Sequence, residues 1–414
     1  MAGRSAVIVR YALRAIQRIM MKKNLSPTLR YAVMQGLLWA NVAAISGYLN
    51  PYLRDRGIPV TVIGLLIALS SVGGALLQPL TGQLADRPGK PTLKQIMLGI
   101  LGIFAVFASV TAALHRGGGL PLAIACCLSM LTWQLLTPLV NAAALVDSPT
   151  AEKPNFPVAR GIGSITYAAV FFSMGQLIHG RTWLVPLSML VLMVPMILTV
   201  LRYPLPESRG RQTVRQEKGG FFLMRYPRYC MILLGCLGVL IGHSVISHFA
   251  IQIVEAHGGQ EPQMGAAMAL ACLMELPVMF GFGVLRKRFT ALQMLAASSV
   301  FYVLKCIVTW VTTTMTGFYL VQLFQMPAFA LQAVSAVLFI SQEMAPEDAV
   351  KGQTWFSMAT AAATILGSAV GGWLFDTYGM DALMRFATIA SACGMAATFA
   401  ALGMRPSRKS PDTP

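Results

Sequence analysis

Three charged side chains lie inside, or at the end of, long apolar runs: Arg160 in FPVARGIGSITYAAV, Glu275 in ACLMELPVMF and Lys305 in VFYVLKCIVTW. If those runs cross a bilayer, a charge at mid-span costs about 2.5 to 3.5 kcal/mol on insertion scales, so each needs a partner, a water-filled cavity or an altered protonation state. The chemistry open to each differs. An arginine fork can donate two parallel hydrogen bonds to neighbouring hydroxyls or to a carboxylate. A buried glutamate can take a proton on one side of a membrane and release it on the other. Pro277, two residues past Glu275, removes a backbone donor and can open the helix around the carboxylate. Plainer roles stand beside these: Arg160 snorkelling from the end of a span, Glu275 as a permanently protonated interhelical partner, and Lys305 as a structural counter-charge.

Uncharged polar residues in the same runs add candidates. Asn141 in TPLVNAAALVD and Gln325, with Gln322, in YLVQLFQMPAFALQ can bond a ligand or merely a neighbouring helix. Gln35, Asn41 and Tyr48 recur at spacings of six and seven, which predicts a polar stripe lining a pore, and Gln134 precedes Asn141 by seven. His243 and His248 are five apart, so they fall on different helix faces and make no tidy metal pair. Either imidazole can carry a proton near neutral pH, and His243 joins Glu275 as a candidate for proton coupling; packing is the other role for both.

These side chains require a bundle of membrane helices to hold them. A span needs about 20 apolar residues, and runs of that kind cover roughly 32–52, 60–80, 93–113, 120–146, 161–178 and 183–200, then 229–253, 264–285, 292–313, 318–340, 356–375 and 383–402. The expected fold is an all-α membrane protein of twelve transmembrane helices in two six-helix halves. Residues 1–30 form a basic cytoplasmic segment, 31–201 the first half, 202–228 a polar linker, 229–403 the second half and 404–414 a cytoplasmic tail. Arg10, Arg14 and Arg18 fit either an amphipathic helix on the anionic inner leaflet or a basic tail that only fixes orientation.

Composition agrees with this layout. Hydrophobic residues fill 56% of the 414 positions, charged ones only 11%, and mean hydropathy is +0.65. Soluble domains carry roughly 25% charge. The net charge of +17 does not point to nucleic acid, because the basic residues cluster between apolar runs instead of alternating with aromatics along a groove. About 25 of the 32 Lys and Arg fall on one side of the predicted topology and about five on the other, which places both termini in the cytoplasm of a multi-pass inner-membrane protein. The seven cysteines all lie in apolar stretches and read as small buried residues, with no disulfides. No cleavable signal peptide, metal site, cofactor motif or catalytic constellation is read in the sequence, and no loop is long enough to house a soluble domain. The expected partners are therefore a small-molecule substrate, protons and the lipid bilayer, with the protein working as a monomer.

A weak parallel repeat relates the halves. Ile63-Gly64 and Gly82 recur at the same separation as Met264-Gly265 and Gly283. In GQLADRPGKPTLK, between the second and third runs, Gly82 allows close approach of helix backbones, Asp86 can cap or pair near a helix N-terminus, and Arg87, Lys90 and Lys94 favour the cytoplasmic face. The pattern formed by Gly82, Asp86, Arg87, Gly89 and Lys90 resembles the loop between spans two and three of major facilitator superfamily transporters, with Pro91 replacing the usual second basic residue. Arg160, Gly163-Ser164 and Tyr167 resemble the fifth span of the lactose permease and phenylpropionate permease branch. There the matching Arg contacts substrate and the aromatic stacks on it. Glu275 resembles that branch's eighth-span glutamate, which binds sugar near the coupling site.

Two departures limit the resemblance. Asn141 stands where the branch has a glutamate partner for the Arg, which leaves positive charge in the cavity and favours an anionic solute over a galactoside. Gln322 and Gln325 stand where the tenth span carries a Lys, His and Glu coupling set. What the resemblance implies is alternating-access, proton-coupled uptake of a small polar organic solute, a sugar, nucleoside or aromatic acid. The residues it points to are Arg160, Asn141, Tyr167, Glu275, Gln325 and Asn41. An exporter of amphipathic compounds and a transport-inactive membrane sensor are the alternatives.

Overall fold

A computed structural model describes residues 26–86, 91–143, 154–205 and 222–405, and all regular structure among them is helical. That is what an apolar solvent imposes, since a helix satisfies its backbone donors and acceptors within one segment. The first six long helices are α1 Pro27–Asp55, α2 Val60–Asp86, α3 Leu93–Ala113, α4 Gly119–Ala142, α5 Phe156–Ile178 and α6 Leu184–Arg202. After a single turn, Phe222–Arg225, come α7 (Pro227–His248, continued by Ala250–Ala256), α8 (Glu261–Arg288), α9 (Ala291–Val311) and α10 (Met315–Glu343). The last stretch, Pro346–Leu402, breaks at Gly379, whose φ of 80° and ψ of −169° no helix contains. It therefore makes two spans, α11 (346–378) and α12 (380–402). Among the described residues this gives twelve apolar helices.

Local sequence sets several starts. Ser26 accepts from the Leu29 N–H and is followed by Pro27, which suits the first turn of α1. Thr92 with Gln95 and Thr290 with Gln293 build the same reciprocal capping box at the heads of α3 and α9, helices of 21 residues each. The two helices occupy equivalent positions in the weak repeat.

Helix α1 packs on α5 and α6, α2 on α4, and α3 on α4 and α6; α7 packs along α11, α12 and α9, and α9 along α10. Two extensive pairs join these groups, α2 with the 346–402 stretch and α5 with α8, and α1 meets α7 more narrowly. At these crossings the backbones touch. A Cβ on Gly64 would collide with the Ser368 carbonyl oxygen, and one on Gly372 would lie 2.7 Å from the Val60 carbonyl. One on Gly265 would lie 2.9 Å from the Phe171 carbonyl and 3.0 Å from the Gly175 Cα.

The other members of the repeat behave differently from expectation. Nothing lies within 4 Å of where a Cβ on Gly82 or Gly283 would be, so neither brings helix backbones together here. Both sit a full span away from the crossings of α2 and α8. Arg87, Gly89 and Lys90, like Arg10, Arg14 and Arg18, lie outside the described residues.

Polar contacts join the groups at the end that carries turns 56–59, 179–183 and 257–260. Arg54 pairs with Glu255 at 2.6 Å, and His179 Nδ1 lies 3.0 Å from Glu261. Asn50 and Gln252 exchange amide hydrogen bonds of 3.2 and 2.8 Å, and Thr61 donates to Asp376 through its backbone N–H (2.5 Å) and its hydroxyl (2.7 Å). Near the opposite end, Asp348 at the head of α11 accepts from Lys351 (2.9 Å), Tyr226 (2.9 Å) and Arg225 (3.3 Å). The Lys351 bond, reinforced by the other two, holds the Asp348 carboxyl below its ordinary range against the opposing effect of burial.

The first helix starts at Pro27, a few residues before the expected boundary at 31. Of the cysteines expected to be buried, Cys126, Cys236, Cys272 and Cys306 are; Cys127 and Cys230 are half-buried, and Cys393 is exposed on α12, where a small thiol faces outward from the bundle.

Candidate functional site

Two helices lose their regularity at the same depth. In α8 the hydrogen-bond ladder is interrupted at Glu275, which keeps helical dihedrals, because Pro277 has no N–H to offer the preceding turn. In α10 a 3₁₀ turn, Gln322–Gln325, passes into a π-helical turn, Met326–Ala330, which contains Pro327. Irregular backbone at membrane depth is tolerated where protein or a cavity covers it, and π turns recur at functional positions.

Both irregularities border a cavity of about 240 Å³ lined by α1, α5, α7, α8 and α10. Arg160, Tyr167, Glu275, Gln325 and His243 all line it, so five residues singled out from the sequence converge on one space.

The polar groups form two ordered chains. On one wall Lys305, buried behind the cavity surface, donates from Nζ to Gln325 Oε1 at 2.5 Å, and Gln325 Nε2 donates to Glu275 Oε1 at 3.0 Å. Lys305 thus reaches Glu275 through an amide. On the other wall Arg160 donates to Ser164 Oγ at 2.8 Å, and its Cζ lies 3.9 Å from the centre of the Trp39 ring. Among the described residues no carboxylate lies within ion-pair distance of Arg160. Trp39 is held in turn. Its Nε1 donates to Gln35 Oε1 (3.1 Å), while Gln35 Nε2 donates to Asn141 Oδ1 (2.9 Å) and to the Tyr31 hydroxyl (2.6 Å).

Aromatic rings complete the wall. Tyr167 lies 6.1 Å from Trp39 and 5.4 Å from Phe171, and His243 stacks on Phe329 at 4.6 Å and 23°. His243 Nδ1 is buried with no hydrogen-bond partner. Contrary to the spacing argument, His248 borders the cavity as well, with Nδ1 2.9 Å from the Ser244 carbonyl. Helix α7 breaks just after it, which relaxes ideal helical geometry there.

Other expectations are corrected. Asn41 does not line the cavity: its amide donates to the carbonyls of Leu37 (2.8 Å) and Leu192 (3.2 Å), tying α1 to α6. Asn141 is one layer back, reaching the cavity through Gln35 and Trp39. The stripe of Gln35, Asn41 and Tyr48 is fully buried. Tyr48 donates to the Phe171 carbonyl at the α5 crossing, and the α1 residues that do line the cavity are Trp39, Val42, Ser46 and Gly47. Gln134 ties α4 to α2 through Ser70 (3.1 Å). Period alone placed the stripe on one face; packing against α5 and α6 decided which face turned inward. Trp39 was missed, although it follows Gln35 by four residues and so shares its face. Among the described residues no group of three His, Cys, Asp or Glu is placed to hold a metal ion.

A family model described as MFS_1 like family matches residues 29–386. A mutant of the nucleoside transporter NupG is similar in structure, with a TM-score of 0.77 at 15% identity over 91% of this chain and 99% of that one. A bacterial homolog of the human lysosomal transporter Spinster, in an inward-facing and occupied conformation, gives 0.69 at 14% identity, covering 94% and 100%. A mutant of the peptide transporter POT gives 0.69 at 12% identity, covering 94% and 97%. At these identities the likeness is one of fold. Among curated protein sequences none matches.

Proposed function

The chain belongs to the MFS_1 like family, within the major facilitator superfamily, and from that premise we propose that it is a secondary transporter moving a small polar organic solute across the inner membrane by alternating access. The observation that carries this reading is that Arg160 and Glu275, on helices α5 and α8, face one cavity while each is held by a separate hydrogen-bond chain. A charged pair kept apart across a cavity is poised to take something between its members. Arg160, Tyr167, Gln325 and Glu275 bind the solute; Asn141 positions from behind.

Helices α1–α6 and α7–α12 are the two six-helix halves, joined by the 202–228 linker. The basic excess puts both termini and the open ends of α2 and α8 in the cytoplasm, so the halves are latched on the outer side. Rocking about the Gly64–Gly372 and Gly175–Gly265 crossings would close the Gly82 and Gly283 ends, with Asp86, Arg87, Gly89 and Lys90 gating that closure. Glu275 carries the coupling proton, with His243 as a second proton-accepting group on the cavity wall. The monomer contains every part this cycle needs.

Counterflow in proteoliposomes, with and without a proton gradient, tests the reading. Flux that depends on the protein and rises with an inward proton gradient supports it; a protein that binds solute and moves none is a sensor. The ring-lined wall of Trp39, Tyr167, Phe171 and Phe329 favours a second reading, export of amphipathic compounds, and the direction of proton-driven flux in oriented vesicles separates the two.

A further inference from the structure

The direction of every hydrogen bond in the Lys305 chain is fixed by Lys305 itself. An ammonium group has only protons to give, so the amide oxygen of Gln325 must face it, and the amide nitrogen must then face Glu275. Glu275 therefore presents one accepting oxygen, Oε1, to Gln325, and through that amide it is tied to the Lys305 side of the cavity. Arg160 is left with a hydroxyl, Ser164, and an aromatic face, Trp39. Neither neutralises it.

The charge count follows. Arg160 and Lys305 are positive and Glu275 is negative, which leaves one positive charge in excess. Protonation of Glu275, His243 or His248 only enlarges that excess. When the cavity closes around a neutral solute, an unpaired guanidinium is sealed away from water, at a cost buried charges rarely bear. A solute carrying one negative charge removes the cost, and the unused guanidinium N–H groups match a carboxylate's two oxygens.

We infer that the substrate is a small organic anion whose carboxylate docks on Arg160, and that Lys305, which lies behind the cavity wall, sets this preference by holding Glu275 through Gln325. The inference rests on the transport reading above but concerns only the charge of what is bound. Lys305 is a positioning residue: without it the Gln325 amide is free to turn and Glu275 is free to compensate Arg160.

Cys272 supplies a reporter, because it borders the cavity and its thiol donates to the carbonyl of Ser164 (3.3 Å), the residue whose hydroxyl accepts from Arg160. Its modification in the purified full-length protein is followed by mass spectrometry of the Cys272 peptide. Relative to their rates with a small free thiol in solution, an anionic methanethiosulfonate should label it at least about tenfold faster than a cationic one of similar size, as one unit charge at short range and intermediate dielectric requires. Equal or reversed rates overturn the inference with no variant needed. Benzoate should slow labelling of Cys272 by a neutral maleimide, and its uncharged isostere benzamide should not. Equal protection by both, or by neither, overturns it too. Arg160→Gln and Lys305→Met should each lose the benzoate preference, and Lys305→Arg should restore it; retention in Arg160→Gln counts against docking there. Benzoate protection in a protein that shows no counterflow leaves this inference standing and removes transport, whereas exchange of neutral solutes without anion preference does the reverse.

Discussion

The guanidinium of Arg160 lies 3.9 Å from the centre of the Trp39 ring, and that ring is pinned by Gln35, which is pinned in turn by Asn141. A cation held by a π face keeps its N–H edge available, as a carboxylate partner would not allow.

Cation–π contacts are worth about 0.5 to 2 kcal/mol, so Trp39→Ala should weaken solute affinity about two- to thirtyfold. Trp39→Phe should keep most of it, and Gln35→Leu should fall between. Apparent affinities from counterflow give the order; a Trp39→Ala variant with unchanged affinity would show that the ring does not position Arg160.

Arg160→Ala and Glu275→Gln should each abolish uptake while the purified variants stay monodisperse and folded. In Glu275→Gln, solute exchange at equal pH should outlast proton-driven accumulation, because the amide still hydrogen-bonds but carries no proton cycle. Normal uptake by both variants would remove them from the site.

The four repeat glycines should divide by position. Gly64→Ala and Gly265→Ala force a methyl into touching backbones and should lower thermal stability by roughly 1 to 3 kcal/mol. Gly82→Ala and Gly283→Ala meet nothing within 4 Å in this conformation. They should melt with the parent and act, if at all, on turnover. Equal destabilisation at all four positions would contradict the geometry.

Arg54 and Glu255 are both partly exposed, at 31% and 44%, and an ion pair in such a setting is worth about 0.2 to 1 kcal/mol. Glu255→Gln should therefore raise Cys272 labelling from the outer side by no more than about fivefold. An order-of-magnitude rise would mean that this pair, and not the helix crossings, holds that end shut.

Asp348 titrates below the ordinary carboxylate range because Lys351, Tyr226 and Arg225 all donate to its ionised form. A depressed folded-state pKa adds stability that is complete above the unfolded value and disappears as pH falls through the folded one. The difference in melting temperature between the parent and Asp348→Asn should accordingly be largest near neutral pH and shrink on acidification. A difference constant from neutral to strongly acidic pH would refute the linkage.

What the sequence determined by itself is what depends on length and solvent. Twelve apolar runs must be helices, because lipid offers no partner for an unpaired backbone group. Arg160, Glu275 and Lys305 were conspicuous for the same reason, since charge is costly there. What only the tertiary structure decided is azimuth and pairing. Asn41 and Trp39 are two residues apart on α1, yet Trp39 lines the cavity and Asn41 bonds α6, because packing against α5 and α6 rotated the helix. Lys305 and Glu275 are thirty residues apart in the chain and meet only through Gln325, where α10 departs from α-helical geometry. Helical period assigns each residue a relative angle along one helix, but the absolute direction comes from neighbours distant in sequence and from local breaks in that period.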